Sequence, residues 1–134
     1  MPLKVNWEGV FPAIPTQFKE DLSIDIEATQ KHTEALVNNG IHGIVMLGTI
    51  GEGTSLTLSE KVEVLRATVE VAGGKVPVLS GIAEFTTQGA CDTVKAAGEA
   101  GERSSGQHDH RLSRHARLRG RIFTAPTAGR LEAG

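Results

Sequence analysis

Gly48-Thr49-Ile50-Gly51-Glu52-Gly53 puts a hydroxyl, a carboxylate and several glycines between the apolar run Ile44-Val45-Met46-Leu47 and a helix-like segment. Glycines at a strand-to-helix turn let backbone N–H groups face an anion. A P-loop would add a Lys-Ser/Thr ending and a dinucleotide fingerprint would read G-x-G-x-x-G; this stretch has neither. A plain connecting loop, whose glycines only permit positive φ, fits the spacing as well. The stretch alone leaves three readings open: anion cradle, loop, or the mouth of an active site.

Other chemistry-bearing residues are scattered. The lysines of the first hundred residues are Lys4, Lys19, Lys31, Lys61, Lys75 and Lys95, and all are expected at the terminus, in loops or on polar helix faces. An exposed amine keeps its usual pKa of about 10.4 and is a poor nucleophile. Activation needs desolvation or a cationic neighbour. Cys91, the single cysteine, is expected as a small buried hydrophobe and excludes an internal disulfide. His32 and His42 read as surface or loop residues. His108-Asp109-His110 with His115 lies in an Arg-rich stretch without fixed geometry, so no metal site is expected.

The charge balance splits the chain. Residues 1–101 hold six Lys and one Arg against thirteen acidic groups, whereas residues 102–134 hold seven Arg, no Lys and three acidic groups. The tail could touch nucleic acid through phosphates, but it shows no recognisable module, and no specific nucleic-acid partner is expected. No apolar run approaches spanning length, and MPLKVNWEGV has no apolar stretch behind its Lys. A soluble cytoplasmic protein without membrane partners is the expectation.

The elements that must position these groups alternate. The apolar run 9–14 is followed by a polar stretch to Asp21, then a helix capped by Asp25, with Ile26, Thr29, Thr33 and Leu36-Val37 on one face and Gly40 as its stop. Ile44–Leu47 reads as a doubly buried strand. Thr57-Leu58-Ser59-Glu60 matches a capping box, and Leu58, Val62, Leu65, Val69 and Ala72 form a helical stripe. Val76-Pro77-Val78-Leu79 is the next strand, and a third helix runs from about Thr87 to Ala100. Such β-α-β-α-β-α order implies an α/β fold with parallel strands covered by helices. Residues 102–134 show no strand-like run beyond Ile122-Phe123 and no helical stripe, a composition expected to be disordered or loosely collapsed.

Several motifs in register carry a resemblance. G-I-V-M-L-G-T-I-G-E (43–52) followed by T-L-S-E (57–60) resembles the dihydrodipicolinate synthase and N-acetylneuraminate lyase family. There a barrel strand ends in a Gly-Thr-Thr-Gly-Glu or Gly-Ser-Thr-Gly-Glu loop before a Thr-Leu-Ser helix start. G-V-F-P-A-I-P-T-Q-F (9–18) looks like the family's opening strand, S-I-D (23–25) like its first helix start, and K-V-P-V-L-S-G-I (75–82) like its third strand. The resemblance covers roughly residues 7–101. It implies that residues 1–101 are a partial TIM barrel, the first three βα units of a (β/α)8 fold, and that 102–134 is a disordered or non-native tail, as a reading-frame shift near residue 101 would produce. Chemistry in such barrels sits at the C-terminal strand ends, where GTIGEG lies.

The resemblance also implies Schiff-base chemistry without a cofactor. A Lys amine condenses with the ketone of pyruvate or a related 2-keto acid, and the iminium withdraws electrons so that C–C bonds form or break beside it. Carried onto this sequence, Thr49 is the catalytic relay hydroxyl, and Gly48, Ile50 and Gly51 supply the substrate-binding backbone. Glu52, which could be read as a general base, organises the loop through hydrogen bonds in this reading. Ile50 stands where the synthase pattern has a second Thr; with I-A-E-F-T-T (82–87) it points toward pyrroline-4-hydroxy-2-carboxylate deaminase-like members or other keto-acid lyases. The chain has no Tyr, so the family's catalytic phenol is absent, and the Schiff-base Lys belongs on a later strand. The expectation is therefore a truncated family member, inactive alone, or a non-catalytic pseudogene product. Family members are commonly homo-oligomers, which is not carried over here. Three parallel strands would leave an open edge on the third, with marginal stability.

Overall fold

Pro12 removes an N–H donor from the first apolar run and Pro15 follows it, and that run pairs only in part. In the computed structural model, which describes residues 7–72, 74–105 and 122–125, it makes a parallel bridge at Ala13↔Val45. Ile14 N–H donates to Val45 O and Val45 N–H to Pro12 O, each at 2.9 Å. The run thus occupies the position of a first parallel strand with an incomplete ladder. Phe18 and Ile24 then close a small antiparallel turn, in which Asp21 accepts from the Ser23 N–H (3.0 Å) and hydroxyl (2.6 Å).

Helix α1 spans Ile26–Asn38, and the Asp25 carboxylate caps it by accepting from Ala28 N–H at 2.9 Å. Thr29 and Thr33 are buried on its inner face, and each hydroxyl donates to a backbone carbonyl four residues back. Those bonds satisfy hydroxyls that water cannot reach. Leu36 and Val37 pack against the core, and Gly40 follows the helix with φ +82.

Strand β1 is Ile44–Met46; Leu47, expected inside the strand, leaves it at φ 55. Helix α2, Leu58–Ala72, begins at the expected capping box: Thr57 N–H donates to Glu60 Oε2 at 2.7 Å, and Glu60 N–H reaches Thr57 Oγ1 at 3.4 Å. Its buried face differs from the expected stripe. Lys61, Val64, Leu65, Ala67, Thr68, Val69 and Ala72 are buried, whereas Leu58 is exposed and Val62 half-buried. The reason is that α2 lies between α1 and α3 as well as on the sheet, so it buries a broad arc.

Strand β2, Val78–Gly81, starts two residues later than expected, because Pro77 cannot donate to a ladder, although Val76 and Pro77 are buried. It pairs in parallel with β1 from Ile44↔Val78 to Met46↔Ser80. Helix α3 runs Thr87–Ser105, past the expected end near Ala100. Glu, Arg and Ala around Gly101 are good helix formers, and they outweigh the roughly 1 kcal/mol that one interior glycine costs. Strand β3, Ile122–Ala125, is antiparallel to β2 from Val78↔Ala125 to Gly81↔Ile122. The open edge expected on the third strand is therefore paired. Residues 106–121 and 126–134, with most of the expected disordered tail, lie outside the described residues.

The core joins Ile14, Ile44, Met46, Val64, Leu65 and Val78 between the sheet and the helices. Fully burying each such side chain contributes roughly 2 kcal/mol. This packing holds the C-terminal ends of β1 and β2 side by side, which is where the GTIGEG stretch emerges.

Candidate active-site lip at the end of β1

The turn after β1 is built on the backbone of Leu47. A bulky residue in the left-handed region costs energy and persists only where its surroundings demand it. Here the Leu47 carbonyl is wedged between two glycines: a Cβ on Gly53 would lie 2.2 Å from Leu47 O, and one on Gly81 would lie 2.6 Å from the same atom. Gly53 closes the turn from the α2 side and Gly81 ends β2. Neither place has room for a side chain without moving backbone.

Within the turn, Glu52 N–H donates to Thr49 O at 3.1 Å, Gly53 N–H to Gly48 O at 3.3 Å, and Ser55 N–H to Glu52 O at 2.9 Å. Gly53–Ser55 form a single 3-10 turn leading toward α2. The bonds that close the turn are donated further along the chain than the N–H groups of Gly48, Ile50 and Gly51. A Cβ at Gly48 would meet nothing within 4 Å, so open space adjoins that residue. Thr49 is exposed, Ile50 is 56% exposed, and Gly51 is buried. The expected site residues Gly48, Thr49, Ile50 and Gly51 thus share one lip at the C-terminal end of β1.

Glu52 organises the loop through its backbone. It sits at φ 53 before the 3-10 turn, and its side chain makes no capping hydrogen bond. The loop hydrogen bonds shown for Glu52 are made by its N–H, to Thr49 O, and its C=O, from Ser55 N–H.

Thr16, to which the sequence assigns no role, is bonded to this turn. It follows the first apolar run, is 5% exposed, and its Oγ1 donates to Gly51 O at 2.7 Å. Its signal in the sequence was a polar residue just past the end of an apolar run.

Lys61 is a correction. It is not on a polar helix face: it is 6% exposed and its ammonium is paired with Glu84, in the loop after β2. Glu84 Oε1 also accepts from Thr93 Oγ1 at 2.8 Å. The Lys61 ammonium, and then the Thr93 hydroxyl, hold the Glu84 carboxyl below the usual carboxylate range against the opposing effect of burial. An ammonium held by a carboxylate has no lone pair with which to attack a ketone. The signal was present: Lys61, Val64, Leu65, Thr68 and Ala72 recur at helical spacing. Lys19, Lys31, Lys75 and Lys95 are exposed as expected, with Lys31 bonded to Glu27 at 2.8 Å. Lys4 lies outside the described residues.

Cys91 is a second correction, since it is exposed. The inner face of α3 carries Thr93, Ala97 and Ala100, and a residue two positions before Thr93 falls on the opposite side of a helix. His42 is exposed as expected, yet its Nδ1 accepts from Val10 N–H at 3.0 Å. His108, Asp109, His110 and His115 lie outside the described residues. Among the described residues, no helix is long and apolar enough to cross a membrane.

A model of the dihydrodipicolinate synthetase family matches residues 6–105. The chain belongs to that family. The 4-hydroxy-tetrahydrodipicolinate synthase of Methanoculleus marisnigri is 42% identical over 97 residues, which are 71% of this chain and 33% of that protein. Among solved structures, the dihydrodipicolinate synthase of Acinetobacter baumannii complexed with pyruvate superposes with a TM-score of 0.68 at 29% identity, over 72% of this chain and 33% of that one. The N-acetylneuraminate lyase of Mycoplasma synoviae gives 0.65 at 26% identity, over 70% and 33%. The chain therefore spans about a third of the length of the family members it matches. Its βα units are the N-terminal part of the family's TIM barrel, and the lip lies at the barrel's C-terminal strand ends.

Proposed function

We propose that this chain supplies the carboxylate-holding lip of a Schiff-base lyase site that acts on pyruvate or a related 2-keto acid. The observation that carries the proposal is the turn Gly48–Gly51, seated at the end of β1 with open space beside Gly48 and its far end bonded by Thr16. Backbone N–H groups of Gly48, Ile50 and Gly51 are suited to an anionic oxygen, and Thr49 offers an exposed hydroxyl for proton relay. The pyruvate complex of the Acinetobacter baumannii relative supports the substrate class.

The reaction needs an amine that adds to the ketone, expels water and leaves an iminium, and a group that moves protons about it. The 134 residues include no Tyr, and Lys61, the buried lysine of the described residues, is engaged by Glu84. These residues alone hold substrate without turning it over. Incubation with pyruvate and borohydride, read by intact mass, is expected to leave the chain unmodified. A pyruvate titration is expected to shift amides confined to residues 48–51. A reduced adduct on any lysine refutes the inactive reading, and an absence of shifts in the turn refutes the lip.

Ile50 favours a second reading. Its side chain is exposed at the lip, and an apolar group there removes a hydroxyl contact while keeping the backbone donor. A cyclic imine carboxylate, as handled by a pyrroline-4-hydroxy-2-carboxylate deaminase-like enzyme, would tolerate that exchange. Tighter binding of a pyrroline-2-carboxylate than of pyruvate in the same titration selects this reading.

A further inference from the structure

We propose that Thr16 is a positioning residue for the lip: its buried hydroxyl fixes the Gly51–Glu52 peptide, which closes the turn that carries the N–H groups of Ile50 and Gly51. This rests on the reading of Gly48–Gly51 as a carboxylate-binding turn. The peptide between Gly51 and Glu52 is held from both sides. Its carbonyl accepts from Thr16 Oγ1 at 2.7 Å, and its N–H donates to Thr49 O at 3.1 Å. A trans peptide is a rigid plane, so two bonds at opposite poles remove its rotation. The same plane fixes one end of the turn that carries the Ile50 and Gly51 donors.

Thr16 can do this because of where the first run ends. Ile14 is bonded to Val45 O and is fully buried, so the chain two residues later has little freedom. Thr16 itself is 5% exposed, and little water can compete for its hydroxyl. Gly51 is seated against the same segment: a Cβ there would lie 2.8 Å from Leu47 N and 3.2 Å from Ile14 O. The end of the first run and the turn after β1 are thereby joined beside the lip, and Thr16 supplies the directional bond of that junction. Loss of the hydroxyl leaves the Gly51 carbonyl in a buried place without its donor, a penalty relieved most directly by rotation of the peptide.

The test uses the full 134-residue chain labelled with ¹⁵N, as wild type, Thr16→Val and Thr16→Ser. Solvent exchange of the Glu52 amide reads the turn without any ligand, and exchange at Leu65 and Val69 reads the α2 core. Thr16→Val is expected to speed Glu52 exchange about tenfold while changing the core amides less than twofold, and Thr16→Ser to restore it. Unchanged Glu52 exchange in Thr16→Val overturns the proposal. So does failure of Thr16→Ser to restore it, or an equal loss of protection in the core, which would make Thr16 a general packing residue. A parallel pyruvate titration of the wild type tests the underlying reading separately. Where residues 48–51 respond, Thr16→Val weakens binding about tenfold and Thr16→Ser does not; equal affinity in Thr16→Val overturns the positioning role. A wild type that ignores pyruvate while Glu52 exchange follows Thr16 refutes the substrate reading and leaves the peptide-setting role supported.

Discussion

The Lys61 ammonium on α2 ends against the carboxylate of Glu84 in the β2–α3 loop, with the two side chains 8% and 20% exposed. Thr93 from α3 donates to the same carboxylate oxygen. Three segments are thus joined through one oxygen.

Breaking that ion pair from one side leaves a buried charge. Glu84→Gln keeps the shape but removes the counter-charge, and should destabilise the fold by on the order of 2 kcal/mol, less than a fully buried pair would cost because Glu84 is partly wet. Lys61→Met combined with Glu84→Leu removes both charges and should recover most of the loss. Urea denaturation of wild type, Glu84→Gln and the double variant checks this, and equal stability of Glu84→Gln and wild type would contradict it.

Acid should weaken the fold through the same residue. Because the folded Glu84 carboxyl titrates below its ordinary value of 4.5, its contribution is fully present above that pH. It is lost as pH falls through the lower folded value. Asp21, lowered chiefly by the Ser23 hydroxyl, acts in the same direction. The stability of Glu84→Gln should fall less steeply than that of wild type between about pH 5 and pH 3, measured by denaturant midpoints across that range.

The start of α2 depends on a reciprocal pair. Thr57→Ala removes the hydroxyl that meets Glu60 N–H and should cost about 1 kcal/mol. Thr57→Ser should cost only a few tenths, since the hydroxyl remains. Thermal melts distinguish the two variants.

Cys91 should behave as a surface thiol. A water-soluble disulfide reagent should label it in the native chain within about threefold of its rate in urea, because no unfolding is needed to reach it. Native labelling a hundredfold slower than in urea would place the thiol inside.

Helix starts were legible because they are local. Asp25 and the Thr57–Glu60 box act within four residues, and each makes its expected bond. The alternation of strands and helices was legible for a related reason, since apolar periodicity records which face of an element meets a core. The family was legible too, from motifs in register that the comparison with residues 6–105 bears out.

Contacts between distant segments were not legible. Lys61 and Glu84 are 23 positions apart, and Thr16 and Gly51 are 35 apart; nothing in either local sequence names its partner. A buried lysine and an exposed one have the same letter, and burial is set by neighbours that only folding brings in. The same holds for β3, whose Ile-Phe-Thr run could favour an extended strand but could not specify antiparallel pairing to Val78–Gly81. Residue types and short spacings fix caps, turns and the kind of chemistry at hand. Which groups meet, and which amine stays masked, depends on long-range packing, because hydrogen bonds and ion pairs act over a few ångströms of space whatever the distance along the chain.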